Sequence, residues 1–324
     1  MTRLSAIVVG VLVLGLVVCG TASADELGTP RVTSTFGVGA GPMPDVASDP
    51  STHLAYVTSS GDDSFYVVDA ESRTATIEVG RAPAGAAVDP DTQTAYVTSG
   101  NSVSVLDIAS GSITGAIEVG TDPQWIEVDS STHTVYVANV RDGSVSVIDA
   151  QSRKVTATIK VNGSPGKMGV DPTSHLLYVS DSGGGGEVSV IDPVKSAVIE
   201  TIAVGRNPGD VAIDPPTRTA FVPNADDDSV SVLDLEHRTV VKTIAVGAHP
   251  VAATVDSDAH TVYVTNHGSD SVSVIDSETR AVTDTVPVGH GPQTVAADPS
   301  THTAWVVNFT DNSISVIERA PVSQ

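Results

Sequence analysis

Cysteine is almost absent from this sequence: Cys19 is the only one among 324 residues. If residues 1–24 are removed, as argued below, the mature chain has none. That excludes a disulfide framework, a thiolate nucleophile and a cysteine-based metal site. Stability must then come from an apolar core, and about 300 residues are enough to build one.

Basic residues are also scarce. The chain has 16 Lys and Arg against 39 Asp and Glu, which gives a formal net charge of −23. A surface this negative repels the phosphates of nucleic acids and the head groups of anionic lipids. The composition therefore argues against nucleic-acid binding. It favours solubility outside the cell, or attraction for cations and basic partners.

The apolar run at residues 6–18 is too short for a membrane span, which needs roughly 20 residues. It follows Arg3 and precedes Ala22, Ser23 and Ala24. A basic start, a short apolar core and a small-x-small site predict a secretory signal, cleaved after Ala24. The alternative is lipid attachment at Cys19, although Val18 is bulkier than the residue that usually precedes such a cysteine. We expect a secreted or extracytoplasmic protein of residues 25–324.

A sequence repeat of about 40 residues occurs seven times between residue 40 and the C-terminus. Its clearest landmark is an aromatic–Val pair seven residues after an Asp. The pairs begin at Tyr56, Tyr96, Tyr136, Tyr178, Phe221, Tyr263 and Trp305, with spacings of 40, 40, 42, 43, 42 and 42. Self-similarity at this fixed period is typical of propellers and solenoids.

Within one copy the periodicity is two, which predicts strands rather than helices. In the sixth copy four runs alternate small polar with β-branched residues: 251–255, 261–266, 271–276 and 281–288. Turn residues separate them. Four short antiparallel strands in about 42 residues predict one propeller blade.

The two ends of the chain indicate a closed ring. The last copy stops after its third strand, at residues 313–317, whereas residues 32–39 match the fourth-strand pattern of residues 282–289. A solenoid would need capping repeats, but a propeller closes on itself. We therefore predict an all-β, seven-bladed propeller of four-stranded antiparallel blades, in which the N-terminal strand completes the last blade and removes the open edges.

The repeat resembles a known family at the aromatic pair. Residues 263–266 read Tyr-Val-Thr-Asn, the tetrapeptide that names the YVTN β-propeller repeat family, and the other copies carry variants of it, namely YVTS, YVTS, YVAN, YVSD, FVPN and WVVN. The family is similar to surface-layer proteins and secreted bacterial propellers, and more distantly to sugar-lactonase and haem-reductase propellers. It has no shared catalytic motif, so the resemblance implies a shape and no active-site residue.

Some positions are filled alike in every copy and are expected to serve the blade. An acid ends the first strand at Asp49, Asp89, Asp129, Asp171, Asp214, Asp256 and Asp298, and another ends the third strand at Asp69, Asp107, Asp149, Asp192, Asp234, Asp276 and Glu318. Both sets are predicted to lie on one face and to cap turns. A calcium-binding acidic face is the alternative.

Two further sets belong to this scaffold. Four residues after the first acid the copies carry His53, Gln93, His133, His175, Arg218, His260 and His302. We expect these histidines to bond within their own turns rather than to bind metal. The aromatic residues of the second strands are expected to fill the space between blades.

At other positions the residues differ from copy to copy. These positions are predicted to rim the channel on the opposite face, which carries the loops from strand 4 to strand 1 and from strand 2 to strand 3. Four residues before the first acid the copies read Asp45, Gly85, Trp125, Lys167, Asp210, Ala252 and Thr294. Glu127 stands where other copies have a small residue. The preceding turns add Arg81, Asp122, Arg206, Asn207, His249 and His290.

Three groups of divergent residues suggest chemistry. Trp125 and Glu127 can form a stacking wall with an acceptor, or Trp125 can plug the channel. Lys167, Arg206 and Arg81 can hold a carboxylate, or remain solvated. Asp210 joins them as a candidate ligand-binding residue. The third group consists of His249, His267 and His290. These histidines can bind a metal or supply a base, or they can simply face water.

No nucleophile–base motif is present. The sequence therefore favours a secreted, non-enzymatic binding protein, with its small ligand or protein partner at the channel mouth and no cofactor. The alternative is a hydrolase or lyase on a propeller scaffold, of the lactonase kind, with or without a divalent metal.

Overall fold

The computed structural model describes residues 27–39, 45–183 and 185–319. The predicted signal segment and Cys19 lie outside these residues. Twenty-eight strands form seven separate four-stranded sheets in the described residues, and the predicted seven-bladed propeller is confirmed. Short 3₁₀ turns lie at Ala225–Asp227 and His267–Ser269.

The first six blades each use four consecutive strands, numbered here from the channel outwards. Their bounds are as follows: blade 1, β2 Val46–Asp49, β3 Leu54–Ser59, β4 Ser64–Val68, β5 Arg73–Glu78; blade 2, β6 Ala86–Asp89, β7 Thr94–Ser99, β8 Ser102–Asp107, β9 Ser112–Glu118; blade 3, β10 Pro123–Asp129, β11 Thr134–Asn139, β12 Ser144–Asp149, β13 Lys154–Lys160. Blades 4 to 6 follow: β14 Pro165–Val170, β15 Leu177–Asp181, β16 Glu187–Asp192, β17 Ala197–Ala203; β18 Ala212–Asp214, β19 Thr219–Asn224, β20 Ser229–Asp234, β21 Thr239–Ala245; β22 Pro250–Asp256, β23 Thr261–Asn266, β24 Ser271–Asp276, β25 Ala281–Pro287.

The seventh blade joins the two ends of the chain. It contains β26 Pro292–Asp298, β27 Thr303–Asn308 and β28 Ser313–Glu318, with β1 Arg31–Gly37 as its outer strand. β1 pairs antiparallel with β28, from Arg31 opposite Glu318 to Gly37 opposite Ser313. The predicted closure by the N-terminal strand is confirmed, and it leaves β28 without a free edge.

Each innermost strand contacts the innermost strands of both neighbouring blades, all the way round the ring. These strands are β2, β6, β10, β14, β18, β22 and β26. A solenoid would not bring β26 against β2. The first residues of each blade therefore line a central channel.

The aromatic residues of the second strands form the core between blades. Trp305 of blade 7 packs with Val46 and Val57 of blade 1, and Tyr136 of blade 3 packs with Met168 and Leu177 of blade 4. All seven aromatics are buried, each against the following blade. The predicted core role is confirmed.

The Asn of the tetrapeptide ties the second and third strands of a blade to the turn that leads into that blade. In blade 5 the amide nitrogen of Asn224 donates to Ser229 and Ser231 on the third strand, and its oxygen accepts from the backbone N–H of Gly205 at 3.0 Å. A Cβ on Gly205 would lie 2.5 Å from Asn224 Cγ, so only glycine allows this approach. Asn139 makes the same contacts with Gly120 in blade 3.

Candidate functional site

The central channel holds a cavity of about 660 Å³ whose wall takes residues from all seven blades. Ala87, Met168, Val211 and Ala253 are among its apolar lining residues. Trp125, Glu127, Lys167, Asp210 and Asp45 lie on the same wall. Four of the six ligand-binding candidates from the sequence therefore meet in one cavity.

Lys167 crosses the channel from blade 4. Its ammonium lies 3.1 Å from Oδ1 of Asp45 in blade 1 and 3.3 Å from Oδ2 of Asp210 in blade 5. All three side chains are largely buried, with 15%, 9% and 16% exposure. Burial acts to lower the pKa of Lys167, but the carboxylates of Asp210 and Asp45 raise it above its ordinary value. Lys167 is therefore charged.

Backbone N–H groups hold both carboxylates in place. Oδ1 of Asp210 accepts from the N–H of Val211 at 2.9 Å, and Oδ2 of Asp45 accepts from the N–H of Ala86 at 3.2 Å. Burial raises the pKa of Asp210, and the charge of Lys167 opposes that effect. The copies diverge at these positions, and the result is a fixed ion cluster across the channel.

Trp125 lies beside the ammonium group, which is 5.1 Å from the centre of its indole ring. That distance is within the range of a cation–π contact. Trp125 and Lys167 also line a second, smaller cavity of about 180 Å³ with His249, Asn207 and Gln293. Trp125 and Lys167 thus line both cavities.

Glu127 is the least satisfied acid of the site. In the described part of the chain no hydrogen bond of its carboxyl is found, and it shares the cavity wall with Asp210, Asp45 and Lys167, whose charges act on it. Burial, followed by the charges of Asp210 and Asp45, raises the pKa of Glu127 to about 8. The carboxyl is therefore mostly protonated at neutral pH, so it can donate a hydrogen bond or exchange a proton.

Arg206 and Arg81, expected at the channel mouth, are not among the residues that line either cavity. Arg206 Nε donates to Oδ1 of Asp227 at 2.7 Å in its own blade, and its side chain is 71% exposed. Arg81 is exposed as well. For Arg206 the physical reason is that its guanidinium is held by Asp227 and by the backbone oxygen of Asp226.

The three histidines of the metal hypothesis do not come together. The rings of His249 and His267 lie edge to face with their centres 6.0 Å apart, but His290 Nδ1 pairs with Asp311. Across residues 27–39, 45–183 and 185–319, no group of three or more His, Cys, Asp or Glu residues has the geometry to hold a metal ion. In the same residues no helix is long and apolar enough to cross a membrane.

The scaffold histidines bond differently from the expectation. His53 Nδ1 contacts Asp298 at 2.8 Å rather than a partner in its own turn. Each contact joins one blade to the blade before it, and the others are His133 to Asp89, His175 to Asp129, His302 to Asp256, Arg218 to Asp171 and Gln93 to Asp49. The prediction of bonds within one turn was wrong.

The scaffold acids cap turns, as predicted. Oδ1 of Asp49 accepts from the N–H of Ser51 at 2.9 Å, and Oδ1 of Asp276 accepts from the N–H of Thr279 at 2.6 Å. Six of the first-strand acids, all except Asp214, also accept the bonds from the neighbouring blade. Sequence reasoning missed this second role because it compared copies one at a time, although the seven-fold recurrence of an acid followed by His, Arg or Gln was visible.

Comparison with known proteins adds the fold and nothing finer. No model of a known protein family matches the chain. No curated protein matches it by sequence either. Among solved structures the chain is similar to the hydrazine synthase of Kuenenia stuttgartiensis, with a TM-score of 0.77 and 21% identity over 87% of this chain and 96% of that one. At that identity the likeness shows a seven-bladed β-propeller.

Proposed function

We propose that this protein is a secreted, non-enzymatic binding protein whose ligand or protein partner occupies the channel mouth, on the face formed by the loops between strands 4 and 1 and between strands 2 and 3. The observation that carries the proposal is the meeting of Trp125, Glu127, Lys167, Asp210 and Asp45 in one cavity. These residues come from four blades and occupy positions that are small or uncharged elsewhere. Divergence confined to one cavity on a uniform scaffold is the pattern expected of a ligand site.

The acidic balance and the predicted signal segment support an extracytoplasmic location. The YVTN-like repeat supports the same assignment, because the family that it resembles includes secreted propellers. The ion cluster supports binding rather than turnover. Lys167 is held by two carboxylates, so it is charged and is a poor nucleophile.

One observation favours the alternative, an enzyme of the hydrolase or lyase class. Glu127 has a raised pKa of about 8 and shares its cavity with Lys167 and Trp125. Perturbed carboxyls of this kind serve as general acids or bases in many active sites. The solved neighbour does not decide between the two functions, since fold likeness is a weak guide to chemistry.

Tryptophan emission provides the test. Trp125 lies at the site, whereas Trp305 is buried in the core and donates to the backbone oxygen of Asp69 at 3.1 Å. A panel of small cations, anions, sugars and short peptides is titrated into the wild-type protein and into Trp125→Phe. We expect at least one compound to change the emission saturably in the wild type alone, without being converted. Product formation that is lost in Glu127→Gln would support the enzyme instead, and a panel that leaves Trp125 unperturbed would contradict the binding site.

A further inference from the structure

The channel site carries more negative than positive charge. The carboxylates of Asp45 and Asp210 share the ammonium of Lys167, which leaves one negative charge in excess, and Glu127 adds a third carboxyl that can ionise. Asp129, which is held by His175 and Ser131, is a further and smaller negative influence on Glu127. Asp45 and Asp210 are paired with Lys167, so within the described residues of this cavity Glu127 is the group that lacks a partner.

Lys167 shows what these surroundings bind. Its ammonium has two carboxylate oxygens at 3.1 and 3.3 Å and an indole ring 5.1 Å away. Carboxylates and an aromatic face together are the chemistry that recognises an alkylammonium group. A second ammonium at Glu127 would find a carboxyl and the same acidic surroundings.

The cavity favours an organic cation over a metal ion. No three-residue metal cluster exists in the described chain. The wall of the 660 Å³ cavity has apolar residues, among them Ala87, Met168, Val211 and Ala253, and polar ones, among them Ser48, Ser130 and Ser131. The apolar residues can pack against a hydrocarbon chain.

We propose that the channel binds a small aliphatic primary ammonium compound, with its charged group at the carboxyl of Glu127 beside Trp125 and its hydrocarbon chain along the apolar channel wall. This inference rests on the proposed function and names the ligand class of the same site. Lys167 acts as a positioning residue. It neutralises Asp45 and Asp210, so the incoming cation is left to pair with Glu127.

Binding is coupled to a proton. The free site holds Glu127 mostly protonated at pH 7, because its pKa is about 8. An ammonium ligand favours the ionised carboxylate, so binding near pH 7 releases the proton to solvent. Affinity therefore rises with pH up to about 8 and levels off above it.

The experiment uses n-butylammonium with two matched probes, butyrate and 1-butanol. Binding to the full mature protein is followed by Trp125 emission and by calorimetry in two buffers of different ionisation enthalpy. We expect n-butylammonium alone to bind saturably, with proton release at pH 7 and none at pH 9. Its affinity should rise by up to about tenfold per pH unit below pH 8.

Three variants sharpen the test. Glu127→Gln keeps the shape of the side chain and should weaken n-butylammonium binding about tenfold or more and abolish its pH dependence. Asp210→Asn should weaken it as well, by removing part of the negative field. The matched control is Glu118→Gln, the same change at an exposed position on outer strand β9, which should leave binding unchanged.

Other results would overturn the inference. Equal binding of butyrate or 1-butanol, reported by Trp125 and surviving Glu127→Gln, would remove the cation assignment and leave the binding function intact. Binding of none of the three probes would also remove it, and the compound panel would then judge the binding function separately. Binding of n-butylammonium without proton release at pH 7 would show that its charge does not reach Glu127.

Discussion

His53 Nδ1 lies 2.8 Å from Oδ2 of Asp298, 245 residues further along the chain, and this contact joins the first blade to the last. It is one of six links of the same kind around the ring. Each link binds an acid at the end of an innermost strand to the following blade. The links add a directional contact with an Asp carboxylate to the apolar contacts between blades.

The link acids should matter more for stability than the acids that only cap turns. Asp298 is fully buried and accepts from Ser300 and His53. We expect Asp298→Asn to lower the free energy of unfolding by about 1.5–3 kcal/mol, the range for hydrogen bonds to charged groups. Urea denaturation of this variant and of Asp276→Asn, which caps an exposed turn, measures the difference. Equal losses would show that the link adds nothing.

One position in the ring lacks its link and offers an internal comparison. Among the described residues, His260 Nδ1 and Asp214 Oδ1 are both buried without a hydrogen-bond partner, whereas His302 Nδ1 contacts Asp256 at 2.9 Å. Both histidines have positive φ, 49° and 56°, so a change to Ala carries a similar backbone cost at each. We expect His302→Ala to lower the melting temperature more than His260→Ala. The reverse order would contradict the assigned role of the link.

The N-terminal strand should hold the ring closed. Deletion of residues 25–39 from the mature chain removes β1 and leaves the edge of β28 unpaired. We expect a lower melting temperature and concentration-dependent aggregation, because an exposed strand edge pairs with other chains. Calorimetry and light scattering measure both, with deletion of residues 320–324 as the control. An unchanged melting temperature would refute the closing role of β1.

Lys167 should be essential to the ion cluster. Lys167→Met leaves Asp45 and Asp210 buried without a cation, a loss of about 3–5 kcal/mol for a buried pair broken on one side. We expect Asp45→Asn with Asp210→Asn to restore most of that stability when combined with Lys167→Met, since the two acids are then neutral. Chemical denaturation of the wild type, Lys167→Met, the Asp45→Asn/Asp210→Asn double variant and the triple variant gives the coupling energy. Additive losses would mean that the contacts are not coupled.

Glu127 should make stability fall as pH rises. Its pKa is about 8 in the folded protein against an ordinary 4.5, so the folded state binds the proton more tightly than the unfolded state does. Its contribution to stability is therefore full below about pH 4.5 and is lost as pH rises through 8. We expect the melting temperature of the wild type to fall relative to Glu127→Gln between pH 5 and 9. Parallel profiles for the two proteins would contradict the raised pKa.

The closed fold could be predicted because its information is local. Alternation with period two specifies each strand, the repeat specifies the number of blades, and the displaced strand at residues 32–39 specifies the closure. Comparison of the copies also separated Trp125, Glu127, Lys167 and Asp210 from the scaffold. These inferences need only the local sequence and the comparison of one repeat copy with another.

The finer part of the site depends on distances that no repeat pattern contains. Lys167 reaches Asp45, 122 residues away, because the ring is narrow enough for one lysine side chain to cross it. Arg206 could have done the same, yet its turn directs it to Asp227.

The sequence by itself therefore determined a seven-bladed ring with one uniform and one divergent face. The positive φ of 59° at His53 is a property of the folded turn. The tertiary structure alone decided which divergent residues touch and which blades the histidines join. The physical reason is that side-chain contacts across a channel depend on ring radius and backbone direction, whereas strand formation depends on the local alternation of residues.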